Sequence, residues 1–168
     1  MPTVCRLLEL PPDRATTLVA KPRTLAESVE SAKSHSDVYR YWHGIQYLLA
    51  QHRPNSVAAS WLDLGQPVSS ATETIPAARV ILPDEVAQLA AALQLIQPDD
   101  LIPHYEAAAL DHAGIYPRSW SEWEETFDPL GQMLEHYYFL QSFAKTCASN
   151  GDALLLYFQP VADGSVSW

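Results

Sequence analysis

The chain has 168 residues, carries 10 Lys and Arg against 20 Asp and Glu for a formal net charge of −10, and is 48% hydrophobic. That apolar content excludes an acidic disordered tail, and the length suits one domain whose core needs neither disulfide nor metal to fold. The acid excess argues against a binder of nucleic acid or of anionic membrane, since both require stripes of Lys and Arg.

The first residues, Met1-Pro2-Thr3-Val4-Cys5-Arg6, show no basic stretch leading into an apolar one, so no secretory signal is read. No window is apolar for long enough to span a membrane. Cys5 and Cys147 are the only cysteines, and both are expected to be buried, reduced thiols of a cytoplasmic protein.

In chain order, Thr3–Leu10 is apolar with few breaks and reads as a buried strand ended by Pro11-Pro12. Asp13–Ala20 reads as a short helix. Thr24 and Glu27 have capping-box spacing, which predicts a second short helix to about Lys33. Ser34–Asp37 reads as a break, with Ser36 or Asp37 capping a helix over Val38–Gln51. The apolar stripe of that helix is Val38, Trp42, Ile45 and Leu49. Residues 54–76, with Pro54, Gly65, Pro67 and Pro76, form the longest irregular stretch, and long loops in small domains are often functional.

Ala77–Leu82 reads as a short strand. Pro83 then fits the first position of a helix, with Asp84 and Glu85 favoured beside its positive end. The stripe Val86, Leu89, Ala90, Leu93 and Ile96 faces a core, and Pro98 ends it. Leu101–Leu110 is expected to be helical. Ser121 and Glu124 again have capping-box spacing, and Asp128-Pro129 opens a last helix to about Ser149, stopped by Asn150-Gly151. Ala153–Gln159 is a continuous apolar run and reads as a buried strand. The helices are too many per strand for an alternating α/β repeat. The fold class is therefore α+β: one domain over residues 1–160 with a small mixed sheet of about three to five strands covered by helices, and a C-terminal tail over 161–168.

Several of these segments resemble a known family. Trp42-His43-Gly44-Ile45-Gln46-Tyr47-Leu48-Leu49, with Arg40 two residues before the Trp, resembles the Trp-His helix of the YfbM-like family, domain of unknown function 1877. Ala78-Arg79-Val80-Ile81-Leu82-Pro83-Asp84-Glu85-Val86 resembles that family's Ala-Arg-x-Leu-x-Pro-Glu-Glu-Val element. Tyr105, Ile115-Tyr116-Pro117 and Trp120 resemble its Tyr…Ile-Tyr-Pro-x-x-Trp segment, and the closing aromatic helix and the strand through Tyr157 fit as well. The chain departs from the pattern at Leu82, where a Ser or Thr cap is expected, and around Trp61–Gly65, which is poorer in glycine. The resemblance implies an α+β domain of mostly bacterial distribution and implies no activity.

Among single residues, His43 stands out. With Tyr39 and Tyr47 one helical turn to either side on the expected helix, it suits either a general base or ligand-orienting group or a structural hydrogen bond at a helix contact. Arg79 could clamp an anionic ligand or pair with an acid such as Asp84 or Glu85. Tyr116 and Trp120, with Pro117 and Trp123, form an aromatic cluster that could be a protein-binding patch or the cover of one end of the core. Glu122 and Glu125, with Glu124, Asp128 and Glu135, make an acidic face that serves solubility or docks a basic partner. The six histidines show no zinc spacing, and no glycine-rich phosphate loop or nucleophile elbow is present, so neither metal nor cofactor is expected.

These readings support a non-enzymatic module that binds a basic protein through its acidic surface and the 54–76 loop, as an immunity protein binds a toxin. The alternative is a small enzyme or ligand-binding domain with a site around His43, Arg79 and Tyr116.

Overall fold

The protein, seen in a computed structural model that describes residues 2–73 and 75–161, is built on a five-stranded sheet in the order β2-β1-β5-β4-β3. Its strands are β1 (Thr3–Leu10), β2 (Ser34–Tyr39), β3 (Gln66–Pro67), β4 (Arg79–Ile81) and β5 (Ala153–Pro160). The helices are α1 (Pro12–Ala20), α2 (Leu25–Glu30), α3 (Trp42–His52), α4 (Pro83–Gln94), α5 (Ala107–His112), α6 (Trp120–Glu124) and α7 (Pro129–Asn150). The class is α+β as expected, but every pairing is antiparallel, so the sheet is not mixed. The tail expected from 161 onward lies, beyond Val161, outside the described residues.

β1 and β5 pair along their whole length, from Thr3 opposite Pro160 to Leu10 opposite Ala153. Their apolar runs are continuous because both faces are covered. Cys5, Leu7, Leu154, Leu156 and Phe158 join a core with α3, α4 and α7, while Leu8, Leu10, Ala153 and Leu155 meet Ala15 and Leu18 of α1 on the other face. Alternation along a strand sends neighbours to opposite faces, so a strand buried on both faces needs apolar residues throughout.

The helix expected to start at Val38 starts at Trp42 instead. Residues 34–39 form β2, an edge strand paired only with β1. An edge strand with a solvated face can carry Ser34, His35, Ser36 and Asp37, so it lacks the apolar alternation by which strands are recognised. Neither capping box forms. The Thr24 hydroxyl donates to the Lys21 carbonyl at 2.9 Å, and Glu27 accepts from Arg14 at 2.8 Å. α6 opens two residues early, with Ser119 at its cap position, so Ser121 lies inside the helix. The helix expected over Leu101–Leu110 is split between a 3-10 segment, Pro98–His104, and α5. Pro103, which lacks an N–H, lies in the first of these.

The predicted signals at Pro83, Asp128 and Gly151 all act where expected. Pro83 opens α4, the Asp128 carboxylate accepts from Gly131 N at 2.8 Å, and Gly151 takes φ +68°. Of residues 54–76, Val57–Asp63 is a 3-10 segment and Gln66–Pro67 is β3.

Two buried polar devices lock the core. Gln141 Nε2 and Tyr137 Oη both donate to the Leu93 and Ile96 carbonyls, so α7 satisfies the otherwise orphaned end of α4. At the far end of β1, buried Glu9 accepts from Asn150 Nδ2 at 2.7 Å and Ser34 Oγ at 2.5 Å, and Lys33 pairs with buried Asp152. Burial raises the Glu9 pKa, but these hydrogen bonds and the Lys33 charge outweigh it and hold the carboxyl below its ordinary value. Among the described residues no helix is long and apolar enough to cross a membrane.

Candidate functional site

The start of α3 meets the turn after α5. β2 ends at Tyr39 with φ +58°, which turns the chain so that Trp42 and His43 open the next helix. Across from them, Gly114 (φ +68°) and Arg118 (φ +68°) bracket a tight segment with a cis Tyr116–Pro117 bond. Tyr116 N donates to His43 Nδ1 at 3.0 Å, Thr3 N donates to Tyr116 Oη at 2.6 Å, and Trp42 Nε1 donates to the Thr3 carbonyl at 3.2 Å. The Trp42 ring stacks on His43 (5.3 Å, 9°) and on Tyr116 (5.2 Å, 17°) and meets Phe158 edge-on (5.4 Å, 76°). Strand, helix and turn are thus tied together at one point.

This junction forms one wall of an open cleft of about 390 Å³. The long loop contributes Thr72, Glu73, Ile75 and Pro76 to its lining. Arg118 and Gly114 complete the rim. The 54–76 stretch, expected to be functional, therefore reaches the cleft with its last residues.

The chemistry of His43 follows from its hydrogen bond with Tyr116 N. Nδ1 accepts a backbone hydrogen bond, so it carries no proton, and the neutral ring must carry its proton on Nε2. Burial, helped by the Arg118 charge, pushes its pKa below the ordinary imidazole value. At neutral pH the ring is an uncharged hydrogen-bond donor. A general base would need a free lone pair, and the only lone pair this tautomer has is occupied.

That pKa has a consequence for stability. A depressed imidazole pKa means that the unfolded chain takes up the proton first. The contribution from this site is complete above about pH 6.5, the unperturbed value, and is lost as the pH falls through the folded-state pKa. The urea midpoint should therefore drop between about pH 7.5 and about pH 5.5. His136 adds to the slope, since burial lowers its pKa too, against the raising effects of Gln132, Glu135 and Asp37. His43→Phe should cost about 1–3 kcal/mol at the higher pH, by leaving Tyr116 N unpaired. It should also show a visibly shallower fall with acidification. A slope unchanged by the substitution would place the titration elsewhere.

Of the other expected site residues, only Tyr116 joins His43 at the cleft. Arg79 forms no ion pair among the described residues. Its guanidinium donates to the backbone carbonyls of Asp63, Leu64 and Gly65 at 2.8, 2.8 and 2.9 Å. Tyr39 belongs to β2 rather than to the helix of His43, and packs near His136 and the buried Arg40. Tyr47 is on α3 but rests against the main core. Trp120 is not at the surface: it is fully buried, and its indole donates to the Ile115 carbonyl at 3.0 Å. Glu122 and Glu125 are exposed, on α6 and at its end. The sequence reading missed Arg118, Glu73 and Ile75, for which no pattern in the chain gave a signal.

Cys5 and Cys147 are buried, and burial raises both thiols, Cys147 to about 12, so neither supplies a thiolate. Among the described residues no three His, Cys, Asp or Glu side chains are grouped so as to hold a metal ion.

The family model described as Domain of unknown function (DUF1877) matches residues 1–157. The chain belongs to the DUF1877 family. The solved structure of YfbM, a protein of unknown function from Escherichia coli, is similar over 93% of this chain and 99% of that one, with a TM-score of 0.67 and 16% identity. At that identity the likeness shows the fold. No curated protein matches the chain. The family segments noted in the sequence separate in space: Trp42, His43 and Tyr116 line the cleft of this chain, while Trp120 fills the core.

Proposed function

We propose that this DUF1877 protein is a non-enzymatic binding module and that the cleft lined by His43, Tyr116, Arg118, Thr72, Glu73, Ile75 and Pro76 is its site. The hydrogen bond from Tyr116 N to His43 Nδ1 carries this reading. It fixes the imidazole as a positioned donor, useful for holding a ligand and unsuited to moving a proton. Amide NMR spectra recorded with a library of small polar fragments test it. Binders should shift Gly114, Tyr116 and Arg118 and lose affinity in Arg118→Glu. Binders found only on other surfaces, or chemical conversion of a cleft binder, would overturn it.

A second reading keeps the basic protein partner, of the kind an immunity protein neutralises. It is favoured by the exposed Glu122, Glu124 and Glu125 beside the half-buried rings of Trp123 and Phe127, which lie 5.3 Å apart. It requires salt-sensitive capture of one basic protein that Glu122→Lys with Glu125→Lys abolishes and Arg118→Glu does not. Capture indifferent to the glutamates would end it.

A further inference from the structure

The cleft presents opposite charges that do not neutralise each other. Arg118 and Glu73 both line it, both are exposed, and among the described residues neither takes part in an ion pair. Arg118 uses Nε on the Gly114 carbonyl at 3.3 Å, which leaves its terminal nitrogens as donors. His43 adds an uncharged Nε2–H. Cationic and neutral donors and one carboxylate acceptor, with Ile75, Pro76 and the Tyr116 ring in the same lining, define a surface that offers both charges and an apolar contact. A simple anion would meet the Glu73 carboxylate, and a simple cation the Arg118 guanidinium. A molecule bearing both charges satisfies both. The volume of about 390 Å³ lies at the small end of ligand pockets, which suits a metabolite rather than a folded peptide.

We infer that the cleft binds a small zwitterion, a free amino acid with an apolar side chain. Its carboxylate is held by Arg118 and His43 Nε2–H, its ammonium by Glu73, and its side chain lies against Ile75 and Pro76. This rests on the binding reading of the cleft. Because the imidazole enters as a neutral donor, no proton needs to be taken up on binding.

Titration calorimetry with L-leucine, N-acetyl-L-leucine and L-leucinamide tests the inference, since each derivative removes one charge and keeps the rest. Both derivatives should bind at least about tenfold more weakly than leucine, as expected for loss of a charge-assisted hydrogen bond. Arg118→Gln should weaken leucine and leave leucinamide unchanged, and Glu73→Gln should weaken leucine and leave N-acetyl-leucine unchanged. A contact already absent from the ligand cannot be lost twice. Both positions are exposed, so the variants fold. N-acetyl-leucine binding as tightly as leucine would make the site a plain carboxylate site and overturn the zwitterion. Leucinamide binding as tightly would do the same from the other side. Absence of leucine binding at about 10 mM, a concentration that detects even weak ligands, while other fragments occupy the cleft, also overturns it and leaves the binding reading standing. An empty cleft in both experiments overturns both.

Discussion

Trp120→Ala should remove about 3–5 kcal/mol of folding stability, the cost of emptying the space of a buried aromatic. Set against a total of about 5–15 kcal/mol for a domain, that is a large share, and it should lower the melting temperature by roughly 10–15 °C for a chain of this length. The reason is position as much as size. The ring is fully buried, lies 5.4 Å from Trp123 and 6.4 Å from Tyr41, and gives its N–H to Ile115. It also covers Gly44 on α3. A Cβ at that glycine would come within 2.9 Å of the Trp120 ring and 2.9 Å of the Met133 methyl. Gly44→Ala alone should therefore be destabilising, although Ala favours a helix by about 1 kcal/mol. In the Trp120→Ala background the clash with the ring is gone, and the same substitution should become close to neutral. Urea melts of the four proteins should give a coupling of about 1–2 kcal/mol. Additive losses would mean that the ring does not rest on Gly44.

Trp120 also illustrates what the chain discloses about itself. Its presence in an aromatic cluster near a turn could be read; whether it faced a partner or a core could not, because the answer depends on Gly44 from a distant helix. Elements whose signals are local were legible. β1 and β5 show unbroken apolar runs, Pro83 and Asp128-Pro129 mark where α4 and α7 begin, and Gly151 marks where α7 ends. β2 was illegible because an edge strand with a wet face can be written in Ser, His and Asp, and its polar residues look like a helix cap. The two capping boxes failed for a related reason. Thr24 and Glu27 found better partners in Lys21 and Arg14.

The site divides in the same way. His43 and Tyr116 were readable as residues of interest, and the structure joins them directly through one backbone hydrogen bond. Arg118 became part of the cleft only through the left-handed backbone at Gly114 and at Arg118 itself, a property of a folded turn. The acid excess of the chain is also partly spent inside the fold. Glu9 and Asp152 are buried and internally satisfied, and Asp111 accepts from the backbone of Trp120 and Ser121 at 2.8 and 3.0 Å. Those carboxylates build the fold, whereas Glu73 of the cleft lining and Glu122 and Glu124 of α6 are exposed.

Gly65→Ala should cost about 2–4 kcal/mol, by adding a left-handed backbone penalty to a steric one. Gly65 has φ +72°, and an added Cβ would overlap the Val80 carbonyl oxygen and lie 2.6 Å from its carbon. Both obstacles are backbone atoms of β4, so no side chain can swing away to make room. The turn cannot lift off either, because Arg79 holds the carbonyls of the two residues before the contact and that of Gly65 itself. Arg79→Ala should cost about 1.5–3 kcal/mol, the range for hydrogen bonds from a charged group, with the lower end favoured because the guanidinium is partly exposed. The two substitutions loosen the same turn, so together they should cost less than their sum. Gly65→Asn separates the two terms. Asn tolerates left-handed backbone better than Ala but brings the same Cβ, so it should melt no higher than the alanine variant. Recovery of most of the loss by Asn would mean that the dihedral, and not the approach to Val80, is what requires glycine there.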